Sequence, residues 1–370
     1  MARLLKDKES SYYQSLVNMF DDVRIHLEEA RDISMHLKPL RSMVDDIEQT
    51  DLSEVEPRFR CLYHLCALIW KSSDHYRTPA RIVVLLQELA NFVIELVKGF
   101  LDPENIFKSE IDDANEQIKV AVQVLSDFKS LFFEYRKKLP EYFDGDTPMK
   151  AWDFKPSLVF ARFDKFTHRV DMISDFFINS AQMIALEKVE IGGIRGSQLT
   201  AKVVKIYEEF LELHATQSAV AYDTLDPEDT RFDNDYAKFK ETLFDMDRRL
   251  GTILCSAFND CSSVENMFKL LAIAGNLIER PLIKSKFDPK YQLLLNAFDR
   301  ELDEVKCIFD ADQEEPPIHK NQPPVAGRLK WANELHNRIS EIHKNFAVFP
   351  HPTFETADAK IIEGLSSAFI

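Results

Sequence analysis

The chain has 370 residues with 46 Lys+Arg against 62 Asp+Glu, a net charge of −16, and 45% hydrophobic residues that include 28 Phe, 10 Tyr and 3 Trp. So many large apolar side chains exclude an intrinsically disordered chain, and the acid excess argues against nucleic acid and anionic membrane surfaces, both of which are held through Lys/Arg clusters. Only 9 glycines occur, far below the ~7% of an average protein, which disfavours parallel α/β folds with their tight glycine turns and favours long helices in two or three compact units.

In the first segment, 9–37, Leu16, Phe20, Val23, Leu27, Ala30, Ser34 and Leu37 alternate spacings of four and three, which predicts a helix with one seam. Pro39 lacks an amide donor and is expected to end or kink it, with a shorter piece continuing to Ile47. Helical patterns follow at 58–71 and 79–101, where Thr78 suits a cap and Pro79 a first-turn position. The apolar stretch 82–101 carries Gln87, Glu88, Asn91, Glu95 and Lys98 as a polar stripe, so it reads as an amphipathic helix of a soluble protein and not as a membrane span.

The strongest pattern lies in 103–139: Ile118, Ala121, Leu125, Phe128, Phe132, Tyr135 and Leu139 keep a three-four repeat for three heptads. A parallel coiled-coil dimer shares that spacing, but aromatic seam residues favour antiparallel packing within the chain. A loop at 139–156, rich in Pro, Gly and Asp, sets the first expected boundary. Helices are then expected at 157–187 and 198–220, joined by a turn bearing Gly192, Gly193 and Gly196. An acidic linker at 223–235 precedes helices at 236–258, 264–278 and 289–309. The stretch 310–324, with two Pro-Pro pairs and four acidic residues, makes a second break before a helix at 325–342. The last helix, 357–370, has no stop signal, so continuation into a longer polypeptide is expected. No segment sustains period-two alternation. The chain therefore reads as all-α, an elongated array of antiparallel helical bundles, with domains at 1–140, 157–310 and 325–370.

The phosphate-cradling string G-x-x-x-x-G-K-[ST] is absent, and the glycine cluster of EIGGIRGS follows a predicted helix without the lysine, so a tight interhelical turn is the better reading and no ATP binding by this segment is expected. The five cysteines suit a reducing compartment. Cys61 and Cys66 lie five apart on a predicted helix and so point about 140° from each other; like Cys255 and Cys261 they read as buried small hydrophobes and not as zinc ligands. No Glu-x-x-His, H-E-x-x-H or G-x-S-x-G occurs, which removes the di-iron, zinc-hydrolase and α/β-hydrolase signatures. His336 and His343 can share a helix face near Glu341, but solvated histidines account for them. No leader with an apolar h-region opens the chain. Neither cofactor nor metal is expected.

Four strings are more particular than helix packing requires: IWKSSDHYRTPARIVVLLQELAN at 69–91, AWDFKPSLVFARFDKFTHRV at 151–170, LEKVEIGGIRGSQLT at 186–200 and HKNQPPVAGRLKWANELHNRI at 319–339. Together they resemble the first N-terminal tail region of dynein heavy chains, in the axonemal branch, and the Pro-Pro-Val-Ala-Gly stretch running into a Leu-Lys-Trp helix is the most specific. Gln322 departs from the Met that axonemal relatives often carry. Length is the larger departure, since the linker, the AAA+ ring and the microtubule-binding stalk of a complete heavy chain do not fit in 370 residues. Motor activity is therefore not transferred.

The resemblance implies a non-catalytic stem of successive helical bundles that associates with another heavy chain, carries intermediate and light chains, and anchors the motor in the cytoskeleton of the ciliary axoneme. For partner contact the sequence offers Trp331 and Trp152 as candidates, because tryptophan is enriched among interface anchors; the competing reading is that each braces its Pro-containing loop. Trp70 reads as core. Two other functions stay open at this point: an all-helical metal-dependent enzyme and an independent helical adaptor.

Overall fold

A computed structural model describes residues 12–141, 151–192, 195–318 and 322–355. Among them all regular structure is helical. By packing, the chain divides into two compact units, Met1–Ile178 with Ser218–Asp233, and Asn179–Gln217 with Asn234–Ile370. The boundary expected at 139–156 rests on composition and is described only at 139–141 and 151–156, whereas packing groups 157–178 and 218–233 with the N-terminal residues.

The first unit begins with α1 (Tyr13–Glu48), which runs through Pro39 without ending there. Proline in a helix interior costs ~3 kcal/mol and frees the carbonyl four residues back. Pro39 is exposed, where water reaches that carbonyl, while Leu40 and Ile47 are buried and hold the second half in place. α2 (Glu56–Ser72) returns antiparallel to α1: Arg58 pairs with Asp46 at 3.0 Å near one end, and the Ser73 hydroxyl donates to Asp32 at 2.6 Å near the other.

α3 (Pro79–Leu101) starts where expected, although the Thr78 hydroxyl donates back to the His75 carbonyl and does not cap the helix. It stops at Asp102, whose left-handed backbone (φ 43°) is tolerable because the short carboxylate accepts from the Glu104 amide and the Asn105 side chain. That turn and a 3-10 segment, Ile106–Lys108, with Ile106 and Phe107 buried, delay α4 to Ile111–Lys138 instead of the expected start at 103. α5 (Ser157–Ile184) is antiparallel to α4, with Lys129 on Asp164 at 2.8 Å and the Phe132 and Phe160 rings edge to face at 4.9 Å. The core of this unit is aromatic, and each such pair adds ~0.5–1.5 kcal/mol beyond area burial.

The supposed acidic linker is a built element. Asp223, Asp226 and Asp229 each accept the amide two residues onward, three successive turns closed by side chains. Inside them sits the buried guanidinium of Arg169, which donates to the carbonyls of Thr224, Asp226 and Asp229 at 3.1, 2.8 and 3.1 Å and to the Asp233 carboxylate at 3.1 Å, and stacks over Phe232. α7 consequently begins at Thr230, six residues before the expected 236.

The second unit holds α6 (Gly196–Ser218) antiparallel to α7 (Thr230–Asn259), with Glu209 paired to Arg249 and the Gln217 amide donating to the Asp235 carbonyl at 3.2 Å. Gly196 is required at the start of α6, because a Cβ there would stand 2.2 Å from the Ile191 carbonyl oxygen; Gly193 lies outside the described residues. α8 (Val264–Ala274) is capped by Ser263 and closes in a 3-10 turn, Gly275–Glu279. α9 (Pro281–Asp312) runs through Pro289, which was expected to start it; like Pro39, this proline is exposed.

α10 (Pro324–Val348) extends past the expected 342 because Ile342 and Phe346 are buried, and it lies antiparallel to α9: Trp331 stacks on Phe309, Arg338 pairs with Glu304, and Phe346 meets Phe298. A short α11 (Pro352–Glu355) follows, and the expected helix at 357–370 lies outside the described residues. Buried Arg280 ties this unit together through a two-pronged contact with Asp247 at 2.6 and 2.9 Å and a third bond to Gln182 at 2.6 Å.

Candidate interaction site

Two helices carry nearly the same seam and meet opposite fates. On α4, Ile118, Ala121, Leu125, Phe128, Phe132 and Tyr135, with Leu139 just beyond, are all buried against α2 and its neighbours, so that seam is satisfied within the chain. On α1, Phe20, Val23 and Leu27 are 46%, 59% and 48% exposed, and Ala30 and Ser34 are exposed as well. Met19 lies beside this seam and is exposed too, whereas exposed Ile25 falls on the opposite side of the helix. Contiguous exposed apolar surface of this kind marks an interaction site more often than an accident of packing.

The seam leads into a cavity of about 550 Å³ whose lining includes Ile33, Leu37, Leu40 and Val44 of α1 and Leu85 of α3. Below it, Asp32 receives the Ser73 hydroxyl, and Arg81 of α3 pairs with Glu29. This end of α1 is fixed to its own unit while its N-terminal half presents the seam. Fully burying such a side chain from full exposure is worth ~1.5–3 kcal/mol, and about half of that remains to be gained at each of these half-exposed positions.

The tryptophans part company. Trp152 is fully buried, stacked on Phe132 at 5.5 Å with Phe154 at 6.2 Å, and its indole nitrogen lacks a hydrogen-bond partner. It lies in the segment just before α5, packed against α4. Trp331 is half-buried on Phe309 and keeps accessible surface. Trp70 is buried.

Cys61 is exposed, against expectation, because α2 turns it away from the side that buries Cys66; burial pushes the Cys66 thiol up to about 12. Cys255 and Cys261 are half-buried, and burial raises both thiols. His336 is exposed and His343 half-buried on α10. Among the described residues no group of three or more His, Cys, Asp and Glu converges as metal ligands would, and no helix is long and apolar enough to cross a membrane.

Sequence reasoning missed Arg169 and Arg280. A signal was present for the first: Arg169 stands three residues after Phe166 and four before Ile173, on the face of α5 that those buried residues define, and an arginine there needs several acceptors.

Long helices and a partly exposed apolar seam on α1 define an all-helical protein among the described residues. Comparison with known proteins supplies the family: the model for dynein heavy chain, N-terminal region 1, matches residues 1–369, and the chain belongs to it.

The relatives lie in the axonemal branch. The ciliary dynein beta chain of Heliocidaris crassispina is 40% identical over 373 residues, and human dynein axonemal heavy chain 9 is 39% identical over 366, covering 98% and 97% of this chain. The flagellar outer arm beta chain of Chlamydomonas reinhardtii is 31% identical over 342 residues and 92% of the chain. The chain spans 8% of the length of the first two and 7% of the third. It corresponds to the tail region of such heavy chains.

Proposed function

We propose that this chain works as a non-catalytic tail segment in the ciliary axoneme, and that the N-terminal half of α1 is where it joins another dynein heavy chain. The uncovered seam of Phe20, Val23 and Leu27 carries this reading. A helix of the partner chain laid along it buries those side chains as α4 has its own seam buried. Intermediate and light chains are held on further surfaces of the tail, among which the exposed edge of Trp331 is the first candidate, while Trp152 serves as a brace. Anchoring follows from these contacts, and ATP turnover by this segment is expected to be negligible.

The test is recovery of the tagged chain from a ciliated cell, with heavy, intermediate and light chains quantified by mass spectrometry. Val23→Glu with Leu27→Glu is expected to lower the recovered heavy chain by roughly tenfold or more while leaving the circular dichroism melt unchanged, since both positions are exposed. Unchanged heavy-chain recovery from that variant contradicts the assignment of the seam.

A further inference from the structure

The second unit carries a feature that its overall charge does not predict. Between α6, α7 and the start of α9 lies a cleft of about 440 Å³ rimmed by Lys202, Lys205, Arg248, Arg249 and Lys286, with no carboxylate in its lining, in a chain of net charge −16. Its floor is apolar, made by Ile206 and Ile253, both buried in the fold beneath.

The five cations are only partly compensated. Arg249 pairs with Glu209 and with Asp245 at 3.2 Å, and Arg248 with the same Asp245 at 2.7 Å. Lys286 donates to neutral oxygens, the Arg248 carbonyl at 3.0 Å and the Thr252 hydroxyl at 3.1 Å. No carboxylate among the described residues makes an ion pair with Lys202, Lys205 or Lys286. Among these close pairs two carboxylates serve five cations, Glu209 also feeling the charge of Lys205, and gathering like charges at one cleft is unfavourable unless a counter-charge arrives. Lys286 is held in place by two acceptors that leave its charge uncancelled, which orients it at no later cost.

We infer that this cleft is a docking site for an acidic peptide segment of another polypeptide, one that places carboxylates on the lysine rim and an apolar side chain on the Ile206–Ile253 floor. The combination selects the occupant. An inorganic anion satisfies the rim and leaves the floor wet, and a purely apolar helix leaves the cations unanswered. A nucleic-acid strand would have to extend from this cleft over a protein of strongly negative charge. The site is distinct in residues and chemistry from the seam of α1, and it stands whether or not that seam binds a heavy chain.

Fluorescence anisotropy on the full chain tests this with two labelled peptides, one repeating Glu-Glu-Leu and one repeating Glu-Glu-Gly. The leucine peptide is expected to bind saturably, roughly tenfold or more tighter than the glycine peptide, and to weaken as salt is raised, because exposed charges are screened beyond ~10 Å at 0.1 M. Lys202→Gln with Lys205→Gln, both on the exposed face of α6, is expected to lower affinity about tenfold without changing the thermal melt, and adding Lys286→Gln lowers it further. Three results overturn the inference: equal binding of the two peptides, which indicates a general polyanion effect; equal binding by the variants; and complete displacement by millimolar inorganic phosphate, which indicates a simple anion site.

Discussion

The N-terminal half of α1 and the whole of α4 are written in the same code, apolar residues at alternating three and four, yet one lies open and the other is sealed. The two seams also differ in composition. α4 offers Phe128, Phe132 and Tyr135, rings that fill the space beside α2 and α5 and meet Phe59, Tyr63 and Phe160 at centroid distances of 4.9–6.4 Å. α1 offers Phe20, Val23, Leu27, Ala30 and Ser34, with one ring where α4 has three. Periodicity therefore predicts a helix with a seam, and what the rest of the fold places beside that seam decides whether it is buried.

The largest expected effect breaks the comparison at its sealed side. Phe132→Ala empties a fully buried site and should cost about 3–5 kcal/mol in denaturant unfolding, whereas Phe20→Ala on the open seam should change stability by less than about 0.5 kcal/mol. Equal costs mean that the α1 seam is covered within the chain after all. Next in size, Arg169→Leu removes a buried cation that holds three carbonyls and a carboxylate, and should destabilise the first unit by about 3 kcal/mol or more, with new proteolysis between 223 and 229.

A smaller effect has the opposite sign. The Tyr63 hydroxyl is buried against the α4 seam without a hydrogen-bond partner, and burial raises its pKa well above 10. The raised folded value means that its contribution is intact below the unfolded pKa and is lost as pH climbs above about 10, where the unfolded chain alone gives up the proton. Tyr63→Phe should therefore stabilise by about 1 kcal/mol at neutral pH and remove part of the alkaline loss, as read from urea midpoints at both pH values.

The least costly probe reads the two sides of α2. Exposed Cys61 should react with a thiol reagent in the native state long before Cys66, whose thiol is buried and pushed up to about 12; comparable rates contradict the packing of α2 on α4.

Much of the fold was legible because its causes are local. Pro79 at a first-turn position, the polar stripe of 82–101 and the aromatic register of α4 each point to a helix and to the face it buries. At Pro289 and at 223–235 packing outweighs the local signal, and Pro39 lies inside a helix that continues past Ile47 to Glu48. Pro39 and Pro289 signal breaks, but each sits on a wet face of a helix whose other side is anchored, and the acidic run at 223–235 reads as a linker until Arg169, more than fifty residues earlier, is seen to organise it.

The family was legible from particular strings, as in the Pro-Pro-Val-Ala-Gly stretch before Trp331. The interaction surfaces were not. Exposure of Val23 depends on what the other helices leave uncovered, and the cations of the α6–α7–α9 cleft come from residues 202, 248 and 286, which only the fold brings together.

The account rests on the α1 seam being open in the isolated chain and closed in the assembled dynein. Hydrogen–deuterium exchange of 13–37 and 118–139, compared between the isolated chain and the complex recovered from axonemes, addresses this directly. The account predicts that amides of 13–37 slow by roughly tenfold or more on assembly while those of 118–139 are protected in both states. Equal exchange of 13–37 in the two states would contradict it.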